Sequence, residues 1–400
     1  MDADKILLME LRACCNYFLE NTNYEEDSLF FGLTSDRYPN TDLVASISAT
    51  GYGLVALIIA IKHNFISYAK GQELVFRTLS TLLNLENKKG FYYHYINMDS
   101  GIREYNSEIS IIDTATLLCA LLCVGEFFKG KIKKLSEVIL NRVDWNWYLD
   151  KKRKYFRLGY KPNRGFYGLW DNYAEQLIIY ILSAGFESKS VAKKVYYSFD
   201  RIEKNYGTHK SIIHSWFGSL FTYQASHQWI DFKNTSDEYG INWYSNSLKA
   251  TLAHKQYCSD NKSKFNTFKL GYWGLSSTIV KDKYKGRYGA PPCISKTKTD
   301  GTISVCALIG SIIFLPQKTK NTVLKLYKEC PSTFGQYGFV TSINIKKRKL
   351  ILSKVYLGID KGSTMLSLEN YFNNTIYSLL MNNEYIKRGM KRLGIKKTFD

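Results

Sequence analysis

Three carboxylates stand where this chain passes from stretches rich in Tyr, Trp and Gly into almost wholly apolar helical segments: Asp113, Glu175 and Asp360. An apolar helix does not need an acid beyond its cap, so the repetition points to several helix starts converging on one polar, aromatic-lined cavity. Two carboxylates facing one cavity are the minimal equipment for hydrolysing a glycosidic bond. One protonates the leaving oxygen and the other activates water or attacks carbon.

The three acids differ in setting. Glu175 follows Trp170, Asp171, Asn172 and Tyr173 and precedes Leu177, Ile178, Ile179 and Ile181. Rings and aliphatic side chains disfavour its charged form, which raises its pKa and suits it to giving up a proton. Asp171 is the more natural cap, which places Glu175 one turn into the helix, although the helix N-terminus opposes the shift by stabilising the anion. Asp360 stands between Gly358 and Gly362, where it reads either as a group close to a ligand or as an ordinary helix cap. Asp113 follows Ser107, Glu108 and Ser110; capping by Ser110 or Glu108 leaves it inside an apolar helix, where it must find a partner.

Apolar periodicity near 3.6 residues marks about twelve helices in six pairs. They are expected at 3–20 with 47–64, 67–84 with 109–127, 132–143 with 172–184, 188–204 with 212–228, 239–258 with 302–315, and 319–329 with 362–380. The first helix of a pair is amphipathic and the second nearly apolar all round, the mark of a helix enclosed by others. Six outer and six inner helices describe an all-α fold, an (α/α)6 barrel. Inserts at 90–105, 155–167 and 339–355 alternate aromatic and polar residues and read as β-hairpins. Each precedes an inner helix, so all emerge on the face that carries the acids. With 6 Pro, evenly spread Gly and no low-complexity linker, residues 1–400 read as a single domain.

Composition narrows the function. The net charge of +20 fits a polyanion-binding surface in principle. The excess is dispersed, however, and its densest runs, 151–154, 346–349 and 387–397, fall in expected turns or the tail. Acids around the cavity repel phosphates, so no nucleic-acid partner is expected. The eight cysteines show no zinc-finger spacing, and His209 and His214 lie five apart, a poor match for two ligands on one helical face. No metal or cofactor is expected, and neither a Walker loop nor a dinucleotide GxGxxG is present. The first twenty residues lack the basic start and apolar stretch of a signal peptide, and no run reaches the roughly 18 uninterrupted apolar residues of a membrane span. A cytoplasmic protein without membrane insertion, a monomer or homodimer, is the expectation.

Over nearly its whole length the chain resembles the glucoamylase-like (glycoamylase) family of bacterial (α/α)6-barrel proteins, which includes β-1,2-glucanases of glycoside hydrolase family 144. The resemblance is carried by Ala45-Ser46-Ile47-Ser48-Ala49-Thr50-Gly51-Tyr52, Gly90-Phe91-Tyr92-Tyr93-His94, Met98-Asp99-Ser100-Gly101 and Ser107-Glu108-Ile109-Ser110-Ile111-Ile112-Asp113-Thr114-Ala115. It continues through Trp170-Asp171-Asn172-Tyr173-Ala174-Glu175, Ser226-His227-Gln228-Trp229-Ile230-Asp231-Phe232, Tyr288-Gly289-Ala290-Pro291-Pro292, Tyr356-Leu357-Gly358-Ile359-Asp360-Lys361-Gly362 and Glu369-Asn370-Tyr371. It implies a hydrolase of β-linked glucan acting by inversion, with Glu175 at the acid position, Asp360 as the water-activating carboxylate and Asp113 holding substrate or water. The family's Asp-Gln-Gly-Pro is here Asp360-Lys361-Gly362-Ser363. The cation at 361 either keeps Asp360 ionised or neutralises it in a salt bridge, leaving a glycan-binding barrel without turnover. The family's Gly-Tyr-Asn-Glu is here Asn172-Tyr173-Ala174-Glu175. Substrate contacts expected in or beside the inserts are Asp99, Arg103, Trp170, Tyr173, His227, Trp229, Glu369 and Asn370. The three readings are therefore a β-glucan hydrolase, a non-catalytic glycan-binding barrel and a polyanion-binding protein.

Overall fold

A computed structural model describes residues 2–186 and 191–398. Among these residues the chain is predominantly helical, with fourteen α-helices. They are α1 (Ala3–Glu20), α2 (Ile47–Lys62), α3 (Tyr68–Asn84), α4 (Ile111–Phe128), α5 (Gly130–Leu140), α6 (Leu177–Phe186) and α7 (Val191–Ser198). The second half carries α8 (Trp243–Asp260), α9 (Asn266–Lys269), α10 (Val305–Gly310), α11 (Pro316–Glu329), α12 (Gly358–Asn373), α13 (Thr375–Met381) and α14 (Glu384–Leu393). Short antiparallel strands occupy the connections.

The alternation of amphipathic and apolar helices is realised. Helices α2, α4, α6 and α10 are buried nearly all round, whereas α3, α5 and α11 bury one stripe. The buried helices are neighbours, α2 against α4 and α12, α4 against α6, and α10 against α12. Their apolar side chains merge into one continuous core. Helix α4 is by length and composition able to cross a bilayer, although Asp113 and Glu126 interrupt its apolar run. Its neighbours α2, α5, α6 and α13 enclose it, and 83% of it is buried.

Several boundaries differ from expectation. Residues 212–228 form a strand, His209–Ile213, and two 3₁₀ turns, Leu220–Tyr223 and Ser226–Gln228, in place of a helix. Gly218 at φ +60° interrupts the helical path. Helix α6 starts at Leu177 because the Gln176 side chain bonds Asn172 O and Ala174 N, holding the preceding residues in a bend. The expected helix at 188–204 begins outside the described residues and ends at Ser198. The expected helix at 362–380 is α12 and α13, broken at Asn374 in the left-handed region. Helix α14 was not anticipated, because its lysines read as a tail. Hairpins form at 155–169 and 342–352. In the 90–105 insert, Phe91–Tyr92 pairs back to Asn87–Lys88 and Tyr95–Asn97 pairs with Val44–Ser46 at the start of α2.

A buried ion pair fixes α12 against α1. Lys361 Nζ donates to Glu10 Oε1 at 2.9 Å and to Phe339 O at 2.7 Å, while Glu10 Oε2 accepts from Phe339 N at 2.6 Å. Both side chains are almost fully buried, so neither charge has water as a substitute partner. Lys361→Met is expected to lower the unfolding free energy by about 3–5 kcal/mol in a denaturant titration, since it strands a buried carboxylate. The double variant Glu10→Leu/Lys361→Met recovers most of that loss.

Candidate active site

The serine cap at the start of α4 delivers the first acid. Ser110, the N-cap, accepts from Asp113 N through Oγ at 3.2 Å and donates the same hydroxyl to Asp113 Oδ2 at 2.5 Å. Asp360 is the third residue of α12, whose N-cap Leu357 makes no side-chain cap. It is therefore not the cap. Gly362 lets α12 approach α2, since a Cβ there would overlap the Tyr52 ring. Glu175 lies two residues before α6, not one turn into it, and its carbonyl accepts from Ser226 Oγ at 2.6 Å. Asp171 is no cap either: it lies six residues before the start of α6, and its Oδ1 accepts from Asn172 Nδ2 at 2.9 Å.

All three acids line one cavity of about 420 Å³, a size suited to a small organic ligand. Trp170 and Trp229 of the expected contacts also line it. Trp229 stacks on Tyr52 with ring centroids 5.5 Å apart. The wall further includes Asp36, Arg37, His94, Glu108, Gln228 and Tyr284. Arg37 bonds Asp36 through Nε and Nη2 at 3.3 and 3.2 Å. On a surface of net charge +20 the cavity is locally acidic.

Burial raises the Glu175 pKa to about 7, reinforced by the nearby Asp113 charge and opposed by the residue's own backbone N–H. Burial likewise raises Asp360 to about 7 against the pull of Lys361 and Cys306, with Asp36 adding to the rise. Asp360 Oδ2 has no hydrogen-bond partner among the described residues. Lys361 points away to Glu10 and does not neutralise Asp360 in a salt bridge. His94 Nδ1 stands 3.2 Å from Glu108 Oε1 and 3.7 Å from Asp113 Oδ2. Burial lowers its pKa, but the charges of Asp113 and Glu108 outweigh burial and raise it to about 9. These three residues present possible metal-ligand atoms within 4.8 Å of one another. A protonated imidazole in the middle makes the group an ion-pair cluster at neutral pH.

Six expected contacts lie outside the cavity wall. Tyr173 stacks on Trp243 at 4.8 Å, and His227 is buried with Nε2 at 3.0 Å from Ser247 Oγ, its pKa lowered by burial to about 3. Glu369 pairs with His63 at 2.8 Å, and Asn370 bonds Gln228 O at 2.8 Å. Both sit more than two helical turns beyond Asp360, roughly 13 Å along the axis of α12. Arg103 donates to Ser107 O and lies over Tyr93, and Asp99 is exposed on a turn. Of the residues sequence reasoning missed, His94, Glu108 and Gln228 belong to the motifs that carry the family resemblance. Tyr284 sits in a Lys-rich hairpin that offers no sequence signal.

The Glycoamylase family model matches residues 168–384, more than half of the chain and a span that contains both Glu175 and Asp360. The chain belongs to the glycoamylase family. Among its relatives is the exo-β-1,2-glucooligosaccharide sophorohydrolase (non-reducing end) of Parabacteroides distasonis, 21% identical across 98% of this chain. The chain spans 58% of that relative's length. The glycoamylase fold seen here is that of the endo-β-1,2-glucanase from Chitinophaga pinensis, solved with sophorotriose and glucose, at a TM-score of 0.87 and 22% identity over 99% of both chains. The endo-β-1,2-glucanase of Talaromyces funiculosus is more distant, with a TM-score of 0.70 and 11% identity over 100% of this chain and 92% of its own.

For Glu175 and Asp360 a raised pKa means that protonation favours the folded state, and the stability gained at low pH is lost as pH rises through about 7. Glu175→Gln cannot ionise and is expected to raise the melting temperature by more at pH 8 than at pH 5, as calorimetry at the two pH values would read. An increase confined to pH 5 would contradict the burial argument.

Proposed function

We propose that this protein is a glycoside hydrolase acting on β-1,2-glucan or its oligosaccharides by an inverting acid/base mechanism on an (α/α)6 barrel. The observation that carries the reading is the pair of carboxyls, Glu175 and Asp360, in one aromatic-lined cavity, each with its pKa near 7. The substrate class rests on the β-1,2-glucan activities of its relatives. The order of the buried helices, α10–α12–α2–α4–α6, supports the barrel, with the 3₁₀ segment 220–228 in the sixth inner place. The continuous core supports one domain, and eight free cysteines suit a reducing compartment such as the cytoplasm.

In this mechanism the Glu175 carboxyl gives its proton to the bridging oxygen as the carbon–oxygen bond breaks and the electron pair moves to that oxygen. Asp360 takes a proton from a water whose oxygen bonds to the anomeric carbon on the opposite face. Tyr52, Trp170 and Trp229 supply apolar surface for sugar faces, and Asp113, held by Ser110 and His94, offers acceptors to sugar hydroxyls or water. The direction of Lys361 toward Glu10 favours this reading over a binding protein with a neutralised Asp360.

Incubation with linear β-1,2-glucan is expected to release reducing ends, with the α-anomer appearing first by NMR. Binding without release would favour the non-catalytic reading. Glu175→Gln should lose about 10²–10⁴-fold in kcat, the range for a general acid. Because Glu175 must be protonated and Asp360 ionised, kcat/KM is expected to be bell-shaped with its maximum near pH 7. In Asp113→Asn the loss of a repelling charge lowers the Glu175 pKa and moves the alkaline limb to lower pH, and a shift the other way would contradict the assignment.

A further inference from the structure

A second cavity, about 260 Å³, adjoins the first, and Glu175, Trp170, Phe221, Ser277 and Tyr284 line both. Asp113 and Asp360 line only the larger. In an inverting hydrolase the water-activating carboxylate must reach the sugar that keeps its anomeric carbon, whereas the acid stands beside the bridging oxygen between that sugar and the departing one. A group shared by two cavities, with the base in only one, therefore divides them into the two sides of the cleaved bond.

Trp216 completes the smaller cavity and is 39% exposed, although most tryptophans of this chain are buried. Its segment is held rigidly. Trp216 O accepts from Ile294 N at 3.1 Å and Ser295 N at 2.9 Å, and Gly218 O accepts from Ala290 N at 3.0 Å. The two loops touch so closely that a Cβ at Gly218 would overlap the carbonyl oxygen of Ala290. A large ring left open on a fixed loop offers a flat apolar face at little entropic cost. Ser215, Ser219 and Thr222 also line this cavity, their hydroxyls tied into the protein by Thr222 Oγ1 to Ser215 Oγ at 2.9 Å and Ser219 Oγ to Ser276 Oγ at 3.1 Å. The Nε1 of Trp170, buried between the cavities, has no acceptor among the described residues.

We infer that the smaller cavity is the leaving-group subsite, with Trp216 the platform on which the departing glucosyl unit stacks. This rests on the hydrolase reading and adds to it the residue that sets the requirement for chain length on the leaving side. The test compares linear β-1,2-glucan with β-sophorosyl fluoride, whose leaving group is too small to use the cavity, in the wild type, Trp216→Ala and Trp216→Phe. In Trp216→Ala the ratio of kcat/KM on glucan to kcat/KM on the fluoride is expected to fall about tenfold, mainly through KM, with Trp216→Phe restoring most of the ratio. An unchanged ratio, whether both activities fall together or neither falls, would overturn the assignment of Trp216. Absence of turnover of either substrate by the wild type would instead overturn the hydrolase reading and the subsite with it.

Discussion

A lysine next to a catalytic-type carboxylate would ordinarily decide that carboxylate's fate, and here it is held away. Lys361 is committed to Glu10 and to the Phe339 carbonyl, on the side of α12 that faces α1. Asp360 then meets the cavity with one oxygen unpartnered among the described residues and with burial as the dominant influence on its proton. The pair also places α12 against α1, so the same contact that orients the helix removes the cation from the acid. Were the lysine turned toward Asp360, the pair would hold the carboxylate's pKa down and occupy its oxygens, leaving a weaker base at that wall of the cavity.

The remaining acids are tuned by one another. Burial raises the pKa of Glu175 and repulsion from Asp113 adds to it, while the His94 imidazolium bridges Asp113 and Glu108. One positive ring therefore permits several carboxyls to occupy a small volume. Glu175, without such a cation beside it among the described residues and deeply buried, is the member left to carry a proton near neutral pH.

The helical class, the alternation of enclosed and amphipathic helices and the three acids were legible because burial on all sides and a buried carboxyl both leave marks in a linear pattern. Boundaries were less so. The start of α6 depends on Gln176 folding back on Asn172, and the 220–228 segment depends on the turn at Gly218, neither of which has a periodic signature. Proximity to an insert proved a poor guide to cavity contacts: Glu369 and Asn370 share a helix with Asp360 but lie more than two turns below it. Tyr173 and His227 were misplaced for a related reason, since each belongs to a motif at the cavity but turns its side chain into the packing behind. Tyr284 reaches the site from a distant hairpin, a juxtaposition that exists only once the chain is folded.

The loop bearing Trp216 is tied chiefly to another loop, 290–295, while the three acids are carried on or just before the enclosed helices α4, α6 and α12. Exchange of the Trp216 side chain alone leaves the backbone bonds between the two loops and the three acids in place, so in the proposed hydrolase the fit to short or long glucans can change separately from the proton chemistry.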